Sequence, residues 1–140
     1  MCLINTFEKP DFQIGKFWKI LYKTSTGRLL SPFYNYIWKP LVNQCEHFYL
    51  VKTNNKDWWI NDGIHVFATK EGAEYYKNTH LATIFDTNGL VIIQVGAEVQ
   101  DLIAIGCQEG FKNLKTLCFK QVYLDPEDYK EALTLGEAKV

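Results

Sequence analysis

Gly63-Ile64-His65-Val66-Phe67-Ala68-Thr69 runs directly into Lys70-Glu71-Gly72-Ala73-Glu74-Tyr75-Tyr76, and this stretch decides the reading of the fold. Its first half is β-branched and aromatic, bounded by Asn61-Asp62-Gly63, and reads as a short buried strand. Its second half opens with Thr69, whose hydroxyl can cap a helix, and Glu71 suits the positive first turn. A helix over residues 70–78 follows, with Ala73 and Tyr76 on its inner face. A strand that passes at once into a short helix places one polar ring, His65, among apolar neighbours. Strand alternation puts His65 and Phe67 on one face, Ile64 and Val66 on the other.

Outward from this block the signals are those of an antiparallel sheet. Residues 17–22, Phe-Trp-Lys-Ile-Leu-Tyr, predict a strand that ends in a Ser/Thr/Gly turn at 23–27. Residues 33–38 lie between Pro32 and Pro40, which suits an edge strand, and 47–51 form another short β-like run before a polar loop at 53–57. Asn88-Gly89 between the apolar runs 81–85 and 90–95 predicts a hairpin. Residues 101–106 and 116–124 read as two strands around a turn at 108–110. Asp125 as N-cap and Pro126 at the first helical position start a C-terminal helix that runs to about 135 and stops at Gly136. Residues 1–15 have no period and form an irregular or edge-strand lead-in. The expectation is one α+β domain over residues 1–140, compact, with a mostly antiparallel sheet of about six or seven short strands and two short helices.

At 140 residues, with 47% apolar and 22% charged residues and a formal charge of -1, the chain has enough apolar material for a core. The balanced charge gives no general attraction to nucleic acid or membrane, so nucleic-acid binding is disfavoured. Lys16, Lys19, Lys23 and Arg28 beside Phe17, Trp18 and Tyr22 would be the one place for a local basic-aromatic contact. No run approaches a signal peptide or a membrane span, so a cytoplasmic, soluble protein is expected. The four cysteines, Cys2, Cys45, Cys107 and Cys118, have no Cys-x-x-Cys spacing and read as thiols. Cys45 and His47, with His80 or Cys107 to complete a set, offer a single short-spaced pair where zinc sites show two, so no metal site is expected. Phosphate-loop, dinucleotide, serine-elbow and zinc-protease motifs are all missing from the sequence, so no catalytic residue is assigned.

Gly63-Ile64-His65-Val66 followed by Ala73-x-x-Tyr76 resembles the Gly-Ile-Tyr-Phe strand and Ala-x-x-Tyr helix of the ADP-ribosyltransferase superfamily. The resemblance implies that His65 stands where a tyrosine stacks on the nicotinamide of NAD, and that Lys23, in Leu21-Tyr22-Lys23-Thr24, stands at the ribose-binding position. The catalytic glutamate that the superfamily carries would fall near residues 114–124, where this chain has no carboxylate. Such an enzyme would use one substitute carboxylate, Glu98 or Glu109. The chain is also similar, over Met1-Cys2-Leu3, Tyr22-Lys23, Ser31-Pro32-Phe33, residues 63–67 and residues 91–96, to small uncharacterised bacterial and phage proteins that begin Met-Cys-Leu. Together these features lead to a non-catalytic accessory protein with an aromatic pocket of His65, Trp58, Trp59, Tyr76, Tyr22 and Lys23. That pocket would take a nucleotide-like small molecule, NAD or ADP-ribose among them, or a side chain of a host protein. A divergent NAD-consuming transferase and a pure protein-interaction inhibitor are the two alternatives.

Overall fold

In the computed structural model, residues 17–22 belong to a strand of ten residues, β2 (Ile14–Lys23), around which the sheet is organised. The structure describes residues 3–6, 8–32, 36–45, 50–52, 58–60, 63–108 and 110–134. The other strands are β1 (Leu3–Asn5), β3 (Leu29–Leu30), β4 (Leu41–Gln44), β5 (Leu50–Lys52), β6 (Trp58–Ile60), β7 (Ile64–Phe67), β8 (Leu90–Glu98), β9 (Leu102–Gln108), β10 (Phe111–Phe119) and β11 (Gln121–Leu124). Two α-helices, α1 (Lys70–Thr79) and α2 (Pro126–Thr134), complete an α+β fold. All eleven strands form one sheet in the order β4-β11-β8-β2-β7-β10-β9-β1-β6-β5, with β3 beside β2, and every described pairing is antiparallel. The strand count exceeds the expected six or seven because two- to four-residue pieces, β1, β3, β4 and β6, carry too little periodicity to be read from sequence.

Alternation along β2 gives each face its own core. Phe17 and Leu21 pack with Val91, Ile93, Val95, Leu117, Phe119 and, from α2, Ala132. Trp18, Ile20 and Tyr22 point the other way, towards Phe67, Leu90 and Leu114 and the inner face of α1, Ala73 and Tyr76. The helices therefore lie on opposite faces of the sheet. The Thr69 hydroxyl accepts the Gly72 N–H at 3.0 Å, as its sequence position implies.

Three expectations give way. Residues 81–83 and 87–89 are 3₁₀ turns, and only β8 of the predicted hairpin is a strand, paired with β2 and β11. The chain keeps winding after α1 because buried Leu81 accepts the Ile84 and Phe85 N–H groups. Asn88 does not make a hairpin turn because its N–H is held by the Asp86 carboxylate at 3.0 Å. Residues 116–124 are two strands split at Lys120, whose N–H is drawn to the Asp101 carbonyl, so β10 continues to β9 while β11 crosses to β4 and β8. The lead-in is not at an edge: β1 lies between β9 and β6, and Leu3 is fully buried. Of the predicted 33–38 and 47–51 strands, residues 33–35 and 46–49 lie outside the described residues. Ile37 makes an isolated bridge to Leu30, and β5 begins at Leu50.

Candidate functional site

His65 lies in a central strand, between β2 and β10, on the sheet face that α1 covers. It is 2% exposed. Its cross-strand partner is Cys118, itself opposite Ala104 on β9, so a histidine and a fully buried thiol stand side by side. Gly63, at φ +89°, enters this strand by passing over the same thiol: a Cβ at position 63 would collide with Cys118 Sγ. Glycine is required there twice, for the left-handed backbone and for the close approach.

A third titratable group joins from the opposite face. Lys19 alternates with Phe17 and Leu21, opposite Ile93, and is only 4% exposed. Its Nζ donates to the His65 carbonyl oxygen at 2.9 Å. β2 and β7 register at one pair, Trp18 with Phe67, and the ammonium spans the seam just beyond it. Burial drives the Lys19 pKa from 10.5 down to about 8, with the nearby Cys118 opposing the shift weakly. No described salt bridge reaches it. Lys19 is thus no phosphate-binding surface cation. The sequence signal for its burial was its parity with Phe17 and Leu21, which the usual solvent preference of lysine masks.

The six predicted site residues do not converge. Tyr22, Tyr76 and His65 share the α1 face, and Tyr22 and Tyr76 belong to one apolar cluster with Phe67, Phe85 and Phe111. Lys23, one step beyond Tyr22, falls by alternation on the other face, so it cannot serve a ligand held at His65. β6, which carries Trp58 and Trp59, is four places from β7, roughly 19 Å along the sheet at about 4.8 Å per strand. The side chains of both tryptophans lie outside the described residues. Glu98 ends β8 opposite Ile14 and accepts from Gln100, four residues along the strand from Gln94 beside Trp18; Glu109 lies outside the described residues. Cys45, Cys107 and Cys118 form no disulfide, and among the described residues no three His, Cys, Asp or Glu side chains gather as a metal site. No described helix is long and apolar enough to cross a membrane.

The chain matches no known protein family, no curated protein and no solved structure. Its chemistry has therefore to be read from its own geometry.

Among the exposed residues of α1, which also include Lys70, Glu71, Glu74, Asn78 and Thr79, one is aromatic, Tyr75, and it stands at the top of a ladder of rings. Phe67 and Tyr76 pack with ring centroids 5.4 Å apart at the base. Phe111 stands edge-on to Tyr76 at 5.3 Å, and Tyr75 stands edge-on to Phe111 at 6.1 Å. His80, the residue that closes α1, lies 5.0 Å from the Tyr76 ring and 6.1 Å from Phe111. This ladder climbs from the core to Tyr75, which is 56% exposed. Edge-to-face contacts add to area burial and hold each ring's orientation. Tyr75 and Phe111 were not singled out in the sequence because no motif joins a helix surface to the start of a distant strand.

Proposed function

We propose that this protein is a non-catalytic binding module that engages a protein partner through the aromatic rim formed by Tyr75, Phe111 and His80. The observation that carries the reading is the exposed Tyr75 ring, backed edge-on by Phe111 and through it by buried Tyr76 and Phe67. A large ring already held by its neighbours loses little conformational freedom on docking, which is the physical basis of an aromatic anchor. Ile84, also exposed just after the helix, adds apolar area on the segment that follows. Burial of His65 favours this rim over an enclosed pocket, since a ring with 2% of its surface accessible offers little to a ligand.

The test is a photo-crosslinking amino acid at position 75 in the native host, with the same probe at exposed Glu127 as control. The reading predicts a discrete adduct at 75, lost from 127 and reduced by Phe111→Ala. The same adducts at both positions, or none at 75, overturn it. Titration with mononucleotides and NAD, followed through the Tyr75 and His80 ring signals by NMR, examines the small-ligand alternative. Saturable shifts there, without a crosslink, transfer the site to a flat small molecule.

A further inference from the structure

The α1 face of the sheet is covered over only part of its area. α1 packs on β2 and β8 around Ile20, Leu90 and Ile92, with half-buried Trp18 at the border. Beyond that border the same face continues across β2, β8, β11 and β4, and its side chains meet solvent. Ile14 is 74% exposed and Tyr123 38%, and Lys16 and Gln44 are exposed as well.

The register lays these residues out as a grid. Gly96 of β8 stands between Lys16 of β2 and Tyr123 of β11, and Val42 of β4 lies beyond Tyr123. Two residues one way along the strands, Trp18 faces Gln94. Two residues the other way, Ile14 faces Glu98, and Gln121 faces Gln44. A Cβ at Gly96 would meet nothing within 4 Å, so the centre of the grid is an open recess. Lys16 and Tyr123 are its walls, about 10 Å apart across two strand spacings. The tyrosine is held in place: Gln121 Nε2 donates to its Oη at 2.8 Å, and Gln44 Nε2 donates to Gln121 Oε1 at 2.6 Å. With its oxygen accepting from Gln121, the phenol keeps its own proton to donate outward.

We infer that this recess binds a short neutral oligosaccharide. Size excludes a folded partner. Three strand spacings by four residue steps is roughly 14 Å by 14 Å, about 200 Å², whereas a stable protein interface buries about 800 Å² on each side. Charge excludes a nucleic-acid strand. Lys16 is balanced on this face by Glu98, and Lys19 and Lys23 alternate to the opposite face, so the surplus of cations that phosphates require is missing. What remains is a half-buried indole, a fixed phenol and the amides of Gln94 and Gln121, which offer donors and acceptors beside apolar ring surface. A pyranose matches that mixture, with C–H groups on its faces and a hydroxyl rim that both donates and accepts. One sugar ring would lie on Tyr123 over Gly96. Its hydroxyls would reach Lys16, Gln94 and Glu98, the few polar groups that fix orientation in such a site.

The test is an NMR titration of the full chain with maltotriose, cellotriose, mannotriose and chitotriose, each to about 10 mM, the range in which weak sugar affinities are read. At least one trisaccharide is expected to give saturable shifts centred on the Gly96 amide, the Tyr123 ring and the Gln94 and Gln121 side-chain amides. Tyr123→Ala and Gly96→Val should each weaken that binding by about tenfold or more. Valine at 96 fills open space on a strand, so its denaturation midpoint should not fall. Absence of shifts with all four sugars, or binding that both variants retain, overturns the inference. So do shifts of the same signals produced by protein concentration alone, which would assign the face to a second copy. The rim at Tyr75 is separate, and crosslinking there should be unchanged in both variants, so failure of one site leaves the other standing.

Discussion

Replacing Lys19 by methionine, which keeps the length of the side chain and removes its charge, isolates the energetic consequence of a lysine inside the sheet. Burial moves the folded-state pKa from 10.5 to about 8. At 1.36 kcal/mol per pH unit this corresponds to about 3 kcal/mol. Below the folded value both states hold the proton, and the folded protein carries the full cost of a buried ammonium. Between about 8 and 10.5 the unfolded chain binds a proton that the folded chain has released, so stability rises with pH across that window and levels off above it. Urea unfolding of the wild type and Lys19→Met, read by tryptophan fluorescence from neutral pH to above the upper value, gives two stability curves. Their difference cancels the titration of the tyrosines, thiols and surface lysines that the two chains share. The wild type is expected to gain about 3 kcal/mol on the variant over this range, with equal urea slopes. Parallel curves, with a difference constant to within about 0.5 kcal/mol, would refute the reasoning and place the Lys19 amine in water.

Other perturbations report on separate parts of the structure. Leu41 is 62% exposed at φ +74°, so Leu41→Gly should relieve left-handed strain and stabilise by about 0.5–1 kcal/mol, seen as a higher denaturation midpoint. Gly63→Ala combines the wrong backbone region with a collision at Cys118 and should cost about 2–4 kcal/mol, part of which Cys118→Ala recovers; no recovery would mean that the two residues do not touch. Thr69→Ala removes the α1 cap and should cost about 1 kcal/mol in the same denaturation assay. Along the aromatic ladder, Tyr76→Ala should cost about 3–5 kcal/mol, while Tyr75→Ala should change stability by less than about 0.5 kcal/mol and yet abolish co-purification of the partner that the probe identifies.

Elements with strong local chemistry were legible in the sequence. The Thr69 cap, the Ile64–Phe67 strand, the Asp125-Pro126 helix start and the Gly110 turn, at φ +82°, all depend on residues within one or two turns of each other. The Asn88-Gly89 signal failed because a nearer partner, the Asp86 carboxylate, took the Asn88 N–H and buried Leu81 kept the chain winding. The break at Lys120 depends on Asp101, nineteen positions away, and no local pattern contains it. The site was less legible for the same reason. His65 could be placed on a strand facing Phe67's side, but its burial depends on β2, β10 and α1 closing around it. Trp58 and Trp59 are close to His65 in sequence and four strands away in the sheet, because β7 pairs with β2 and β10 rather than with its chain neighbour β6.

The central claim is that His65 belongs to the sealed interior and the solvent-facing chemistry belongs to the rim at Tyr75 and His80. Hydrogen–deuterium exchange at the imidazole C2 carbons, resolved by peptide mass spectrometry of the native protein, tests it most directly. His80, half-buried at the end of α1, should exchange near the rate of a solvated imidazole, and His65 at least about tenfold more slowly, only as the fold opens. Equal rates at the two histidines would contradict the account and return His65 to the surface of a ligand site.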